Sequence, residues 1–357
     1  MKKICLNMIV KNEAPVIQRC LSSVRSWISH WVIVDTGSTD GTQELVRAAL
    51  ADIPGELYER PWKDFAHNRN EALDLARRHG DYILFIDADE TLKMPEGFGW
   101  GDLGGDGYRF RCELDGWQYQ RNALVSARQP WRWEGVLHEY LTQDGPHAWR
   151  DLPGPAIQVA RDGARARDPD TYLHDIAVLE RAVAAEPENT RYRFYLAQSY
   201  RDSGQAEAAI RCYRQRVEMG GWDEECWYAL FQIAVLTEKT AAPVSEVRDA
   251  YLTAYEVRPK RAEPLCELAR YHRLRREFAQ AHLFAQQAVA LPIPADTLFV
   301  DTSVYLWRAL DELTVSSFYV GALQQGRQAL QKLIQENRFP DNEKQRILGN
   351  RVHYGLA

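Results

Sequence analysis

Five apolar residues, Tyr82-Ile83-Leu84-Phe85-Ile86, run directly into Asp87, Ala88, Asp89 and Glu90. No other stretch of the chain restricts the fold as strongly. A strand that is apolar at every position is covered on both faces, the situation of a central strand in a parallel sheet flanked by helices. Carboxylates at the end of such a strand are costly unless a positive group meets them. Two more segments have the same form. "ICLNMIV" leads into Lys11-Asn12-Glu13, and "WVIVD" ends in Asp35-Thr36-Gly37.

Amphipathic patterns separate these strands. Val16, Ile17, Cys20, Leu21 and Val24 share one helix face, and "TGSTDGTQELVRAAL" turns through glycines into a second helix with Ser38 or Thr39 as its cap. A short strand follows near "ELYERP", then a helix over "HNRNEALDLARRHG" that Gly80 ends. This β-α-β-α order predicts a right-handed, Rossmann-like, mainly parallel α/β sheet with ligands outside the carboxyl ends of its strands. The three polar clusters fall at those ends, which points to a single site.

Bulk properties remove some function classes. With 44 basic and 50 acidic residues the net charge is −6, so a nucleic-acid polymer is not suggested as partner. The six cysteines contain no C-x-x-C, which argues against a zinc knuckle or a disulfide frame and fits a reducing compartment. "MKKICLNMIV" imitates a signal peptide, but Lys11-Asn12-Glu13 stops the apolar run early. No transmembrane segment is expected, because no stretch of eighteen uncharged apolar residues occurs, and the expected location is cytoplasmic.

The rhythm changes from about residue 100 to strand-like pieces, "DGYRFRCEL" and "WQYQRNALVS", and then "WRWEGVLHEYL". Between Thr142 and Asp170, Gly, Pro, Arg and Asp predominate, giving a last strand at "AIQVA" and a linker. Beyond this the chain is helical and repetitive. Tyr200, Gly204, Ala209 and Tyr213 occupy the positions of a tetratricopeptide repeat, and Pro187, Gly221, Pro259 and Pro292 are 34, 38 and 33 residues apart. The unit from Trp227 to Pro259 needs an insertion near Thr240. Tyr200, Arg201, Trp222, Trp227 and Tyr228 either line a groove of these repeats or hold the helix pairs together.

Residues i and i+2 of a strand point the same way, so Asp87 and Asp89 present two carboxylates together. Hard oxygen ligands of this kind suit Mg²⁺ or Mn²⁺ shared with phosphate oxygens. The alternative is an acidic strand end that caps the next turn, and an isolated D-x-D matches by accident.

The company of this motif is more specific. "NMIVKNEAPVIQRCLSSV", "WVIVDTGSTDGT", "FAHNRNEALDLA" and "YILFIDADE", in that order, resemble the nucleotide-sugar domain of family 2 inverting glycosyltransferases, the GT-A fold, over about residues 3–92. "WRWEGVLHEYL" is similar to the W-x-G-x-x-H-E segment of a subgroup that includes lipopolysaccharide-core glucosyltransferases and bacteriocin S-glycosyltransferases. Some of its members carry helical repeats behind the catalytic domain.

The resemblance implies an α/β GT-A domain at 1–160, a linker at 161–172 and an all-α tetratricopeptide-like superhelical domain at 173–357. It also implies a metal-dependent transferase with a UDP-sugar donor and a peptide, protein or glycan acceptor. Val10, Glu13, Asp35, Arg69, Asn70, Asp87, Ala88, Asp89 and Arg165 would bind the nucleotide sugar; Asp89, His138 and Asp87 would hold Mn²⁺ or Mg²⁺. Glu139 or Glu134 would be the base, Glu139 being preferred beside His138, and Trp117, Trp131 and Trp133 either face the acceptor or pack the small sheet. Arg165 and Arg167 either fold over the diphosphate as a lid or belong to a solvated linker. The repeats would recruit a protein or form a homodimer. The competing account is a repeat scaffold with an inactive sugar domain. A sugar nucleotidyltransferase is set aside, since "KNEAPV" lacks the Gly-rich basic loop it would need.

Overall fold

A computed structural model describes residues 2–101, 103–114, 117–296 and 298–356, excluding the side chains of Trp117 and Gln118. The chain forms two compact units, Met1–Ala184 and Ala185–Ala357.

The first unit is built on an eight-stranded mixed sheet of order β3-β2-β1-β4-β7-β6-β10-β5. Its strands are β1 (Ile4–Val10), β2 (His30–Asp35), β3 (Gly55–Glu59), β4 (Tyr82–Phe85), β5 (Glu90–Lys93), β6 (Gly107–Leu114), β7 (Trp117–Ser126) and β10 (Trp149–Val159). β8 (Arg132–Glu134) and β9 (Tyr140–Thr142) form a separate hairpin. The parallel half, β3-β2-β1-β4, has the expected crossovers, with α1 (Ile17–Val24), α2 (Thr42–Ala49) and α3 (Phe65–Ala76) as connections. β4 then pairs antiparallel with β7, its Leu84 opposite Leu124. α4 (Ala164–Arg167) and α5 (Thr171–Ala185) follow β10.

Strand burial explains the all-apolar runs. Leu6, Met8, Ile33, Leu84, Ile86 and Phe110 belong to one core under α1 and α2, while Cys5, Val32, Ile83, Phe85 and Leu73 belong to a second on the α3 face. Alternate residues of one strand thus feed opposite layers. Two local expectations are corrected. The N-cap of α2 is Gly41, at φ +89°, with the Asp40 carboxylate just before it accepting the Thr42 N–H at 3.1 Å, while Ser38 bonds to the first loop instead. α3 starts at Phe65 with Asp64 as its cap and ends at Ala76; Gly80 instead lies against the Cys5 backbone, where a Cβ would approach within 2.9 Å.

The second unit is a succession of antiparallel helix pairs: α6 (Thr190–Asp202) with α7 (Ala206–Glu218), α8 (Asp223–Lys239) with α9 (Val244–Val257), α10 (Glu263–Leu274) with α11 (Phe278–Val289), and α12 (Ala309–Tyr319) with α13 (Leu323–Glu336), followed by α14 (Asp341–Gly349). This is the tetratricopeptide-like arrangement expected. Gly204 makes the α6–α7 turn at φ +81°, and Ala209 and Tyr213 are buried where the pair closes. Trp227 is core, stacked on Phe231 with the Arg261 guanidinium 3.7 Å above its ring, whereas Arg201 bonds to Tyr228 between helices and Trp222 is exposed.

Gly55 on β3 pairs in register with Trp31, and a Cβ there would stand 2.3 Å from the buried indole. Gly55→Ala is expected to destabilise the first unit by about 1–3 kcal/mol through overpacking, seen as a lower urea midpoint at unchanged slope.

Candidate active site

The loops after β1 and β2 are bonded to each other. Thr36 N–H donates to the Val10 carbonyl (2.9 Å), Asn12 N–H to Ser38 Oγ (2.9 Å), and Thr39 N–H to the Asn12 side-chain oxygen (2.9 Å). Glu13 N–H donates to Thr42 Oγ1 (2.8 Å) and Ala14 N–H to Asp40 (3.0 Å). Asn12 adopts φ +57°, a left-handed conformation that Asn tolerates better than most residues. The result is a rigid edge carrying the Glu13 side chain.

That edge borders a cavity of about 740 Å³, lined by Val10 to Glu13, Thr36, residues 62–65, Arg69, Asp87 to Asp89, and the segment from Gly163 into α5. Six carboxylates line it (Glu13, Asp64, Asp87, Asp89, Asp168, Asp175) against four Lys or Arg (Lys11, Lys63, Arg69, Arg165).

The charge at the end of β4 is met from within the protein. Arg69 on α3 donates to Asp87 at 2.8 Å and, through Nε, to Glu139 at 2.5 Å. Arg121 on β7 grips Glu90 through both guanidinium ends, at 2.6 and 2.5 Å, and lies 3.7 Å from Asp87. Glu90 is only 2% exposed, and its carboxylate accepts the Asp87 N–H at 2.9 Å. Enclosure opposes ionisation of Asp87, but the Arg69 and Arg121 charges hold its pKa below the usual carboxylate range.

Asp89 and Glu13 are treated differently. Neither has an ion pair within 4 Å among the described residues; each instead accepts a backbone N–H from the strap after β10, Asp89 from Gly163 and Glu13 from Ala164 at 3.0 Å. A Cβ at Gly163 would lie 3.2 Å from the Asp89 carboxylate, so glycine permits this approach. The strap is tied down by Asp162 to Arg19 (2.6 and 2.8 Å) and by Arg167 to the Asn12 carbonyl (3.1 Å). Burial and the neighbouring Asp87 charge raise the Asp89 pKa. Burial, reinforced by Asp89 and opposed by the Ala164 N–H, pushes Glu13 up to about 7.

A second cavity of about 530 Å³ adjoins the first and shares Phe65, Arg69, Asp87, Leu137 and Arg165 with it. Trp133, His138, Glu139 and Tyr140 from the hairpin, and Gln120 to Asn122 of β7, form its other walls.

Of the predicted residues, Val10, Glu13, Arg69, Asp87, Ala88, Asp89 and Arg165 line the first cavity. Arg165 pairs with Asp175 and lies over the Phe65 ring. Asp35 does not reach the wall: fully buried, one of its oxygens accepts from the Gly37 and Ser38 N–H groups and the Gln43 amide, and the other has no hydrogen-bond partner among the described residues. Asn70 is a clip, bonding both the N–H and the carbonyl of Trp133. Glu134 is turned away from both cavities and bonds Arg132 and the Tyr140 hydroxyl. Trp131 is 1% exposed in the core beside Trp149, so it cannot face an acceptor; Trp133 lines the second cavity, and the Trp117 side chain lies outside the described residues. His138, at φ +51°, sits on the second cavity while Asp89 sits on the first, and no group of three His, Cys, Asp or Glu able to hold a metal forms among the described residues.

Sequence reasoning gave no role to Arg121, named Glu90 only as one of the strand-end carboxylates, and of the strap singled out Arg165 and Arg167 but not the backbone N–H groups of Gly163 and Ala164. An arginine within "WQYQRNALVS", a strand otherwise free of charge, was the available signal for the first. The strap contacts span more than 140 residues and left none.

For a dication, the donor set fits in part. Among the described residues the Asp89 carboxylate has no ion-pair partner and offers an oxygen ligand in a cavity with excess negative charge, and the remaining ligands would have to come from a diphosphate and water.

Residues 5–95 match the model of glycosyl transferase family 2. A TPR repeat-containing protein of Synechococcus elongatus is 28% identical over 81% of this chain and 76% of its own length. The SPbeta prophage-derived glycosyltransferase SunS of Bacillus subtilis is 34% identical, but over 24% of this chain and 20% of its own. The lipopolysaccharide core biosynthesis glycosyltransferase LpsC of Rhizobium meliloti is 35% identical over 24% of this chain and 31% of its own. The chain therefore spans less than a third of the two named glycosyltransferases it matches. The family match and these relatives support a glycosyltransferase.

Because the folded pKa of Glu13 lies above its ordinary value of 4.5, its contribution to stability is complete below that value and is lost as pH rises through about 7. Glu13→Gln is therefore expected to melt about 2–4 °C above the wild type at pH 8 and to converge with it at pH 5. Equal melting temperatures at pH 8 would show that Glu13 ionises without penalty.

Proposed function

We propose that this chain, whose N-terminal domain matches glycosyl transferase family 2, is a metal-dependent inverting glycosyltransferase that uses a nucleotide-diphosphate sugar, UDP-linked by preference. The observation that carries the reading is the pair of carboxylates, Glu13 and Asp89, without an ion-pair partner among the described residues, in a cavity already richer in carboxylates than in Lys and Arg. A diphosphate entering alone would be repelled, whereas one entering with Mn²⁺ or Mg²⁺ would balance the charge. Asp89 would hold such an ion, which would supply positive charge to the departing diphosphate.

The chain's own residues divide the remaining work. Glu13 and the edge at Val10 to Asn12 receive the nucleoside, and Arg69 holds Asp87 at the junction of the two cavities. The acceptor nucleophile attacks the anomeric carbon, the bond from that carbon to the diphosphate oxygen breaks with its electron pair leaving on UDP, and the acceptor proton passes to Glu139. Glu139 is preferred to Glu134 because it lines the second cavity and Glu134 does not. The helical pairs of the second unit bind a protein partner or a second copy, and the expected location is cytoplasmic.

Calorimetric titration with UDP tests the site. Binding is expected with Mn²⁺ and weak without it, and Asp89→Ala should weaken the Mn²⁺-dependent affinity at least tenfold. UDP that fails to bind under either condition would leave the repeat scaffold as the better account. Glu139→Gln is expected to lower transfer by about 10²–10⁴-fold at unchanged UDP affinity, measured by UDP release under saturating donor. If Glu134→Gln does this and Glu139→Gln does not, the base is misassigned.

A further inference from the structure

The second cavity has one property that the first lacks: the charges on its wall are paired. Arg69 is shared between Asp87 and Glu139, Arg121 is held bidentately by Glu90, and Arg165 is bonded to Asp175. A charged ligand would have to compete with one of these pairs for a partner that is already engaged.

The uncommitted polar groups are neutral. Gln120 and Asn122 lie two residues apart on β7, on the same side of the strand, and neither side-chain amide has a hydrogen bond among the described residues. Each amide offers two donors and an acceptor, the complement of vicinal hydroxyl groups. Trp133 adds an aromatic wall that is already fixed, its ring held edge-on by Phe85 at 5.1 Å and covered on one side by Arg69 at 5.0 Å. A volume of about 530 Å³ is within the range of small-molecule sites and accommodates one or two sugar rings.

From these features we infer that the second cavity is the acceptor subsite and that it takes a neutral saccharide, bound by Gln120 and Asn122 and presented by one hydroxyl to the anomeric carbon at the Arg69–Asp87 junction. The inference rests on the glycosyltransferase reading and adds the acceptor class to it. In the step itself, the saccharide oxygen forms the new bond to the anomeric carbon, UDP leaves with the electron pair of the broken bond, and the hydroxyl proton goes to Glu139.

The full chain is assayed for UDP release from UDP-glucose, UDP-galactose and UDP-N-acetylglucosamine with Mn²⁺. The acceptor probes are methyl glycosides of the common hexoses and, separately, a peptide bearing serine and cysteine. At least one methyl hexoside is expected to raise UDP release saturably above hydrolysis. Gln120→Ala and Asn122→Ala should each raise its KM at least tenfold with kcat changed less than threefold, and calorimetry with UDP and Mn²⁺ checks that each variant still carries a folded donor site. If UDP binds but no hexoside responds, or the peptide responds and the two variants leave its KM unaltered, the saccharide assignment is overturned and the glycosyltransferase reading stands. If UDP does not bind the wild type, both fall.

Discussion

Much of the first unit depends on how the carboxylates at the end of β4 are compensated. β4 is apolar on both faces and cannot neutralise Asp87 and Glu90 with residues of its own. Arg69 arrives from α3, the helix immediately before it, and Arg121 from β7, the strand paired with it on the other side. Glu139, in the hairpin loop, closes the chain of charges through Arg69. Five segments, α3, the β4–β5 link, β5, β7 and the hairpin loop, are thus joined by alternating positive and negative groups, most of them shielded from water. Removing Arg121 would leave the buried Glu90 uncompensated, at a cost of about 3–5 kcal/mol. Arg69 and Asp87 of this network stand in the wall common to the two cavities, so the pair that makes the strand end tolerable also marks the place where two substrates would meet.

The contrast with Asp89 and Glu13 is chemical. Asp87 and Glu90 have guanidinium partners, whereas among the described residues Asp89 and Glu13 have no ion pair and accept backbone N–H groups, those of Gly163 and Ala164 among them. Such bonds favour the charged form, but they do not overcome the effects of burial and of neighbouring carboxylates, so both pKa values are displaced upward. The strap that provides these N–H groups is fastened to α1 and to the first loop through Asp162 and Arg167. A segment expected to be a solvated linker is therefore part of the cavity wall, with a glycine where its backbone meets the carboxylate most closely.

In the second unit, burial of charge serves packing. Arg216 and Arg261 are fully buried, each paired with a glutamate, and Arg261 also covers the Trp227 ring. Residues read from sequence as groove candidates divide according to burial: Trp227 is core, Tyr228 and Arg201 fasten helices, and Trp222 remains exposed.

Periodicity and punctuation in the sequence determined the alternation of strands and helices, the parallel half of the sheet, the helical pairs and the clustering of Glu13, Asp87 and Asp89 at strand ends, because each of these is a local pattern repeated along the chain. The tertiary structure alone decided which carboxylates carry a partner. Asp35 and Asp87 both end apolar strands, yet one turns back on its own loop while the other reaches the cavity; Glu134 and Glu139 lie five residues apart, yet only the second meets Arg69. Trp131 and Trp133 are two residues apart on one short stretch, yet one is core and the other lines a cavity. The outcome in each case depends on contacts with residues distant in the chain, such as Arg121 to Glu90 or Ala164 to Glu13. Local patterning specifies which groups reach the edge of the sheet, but their charge state and availability follow from desolvation and partners that only the folded arrangement supplies.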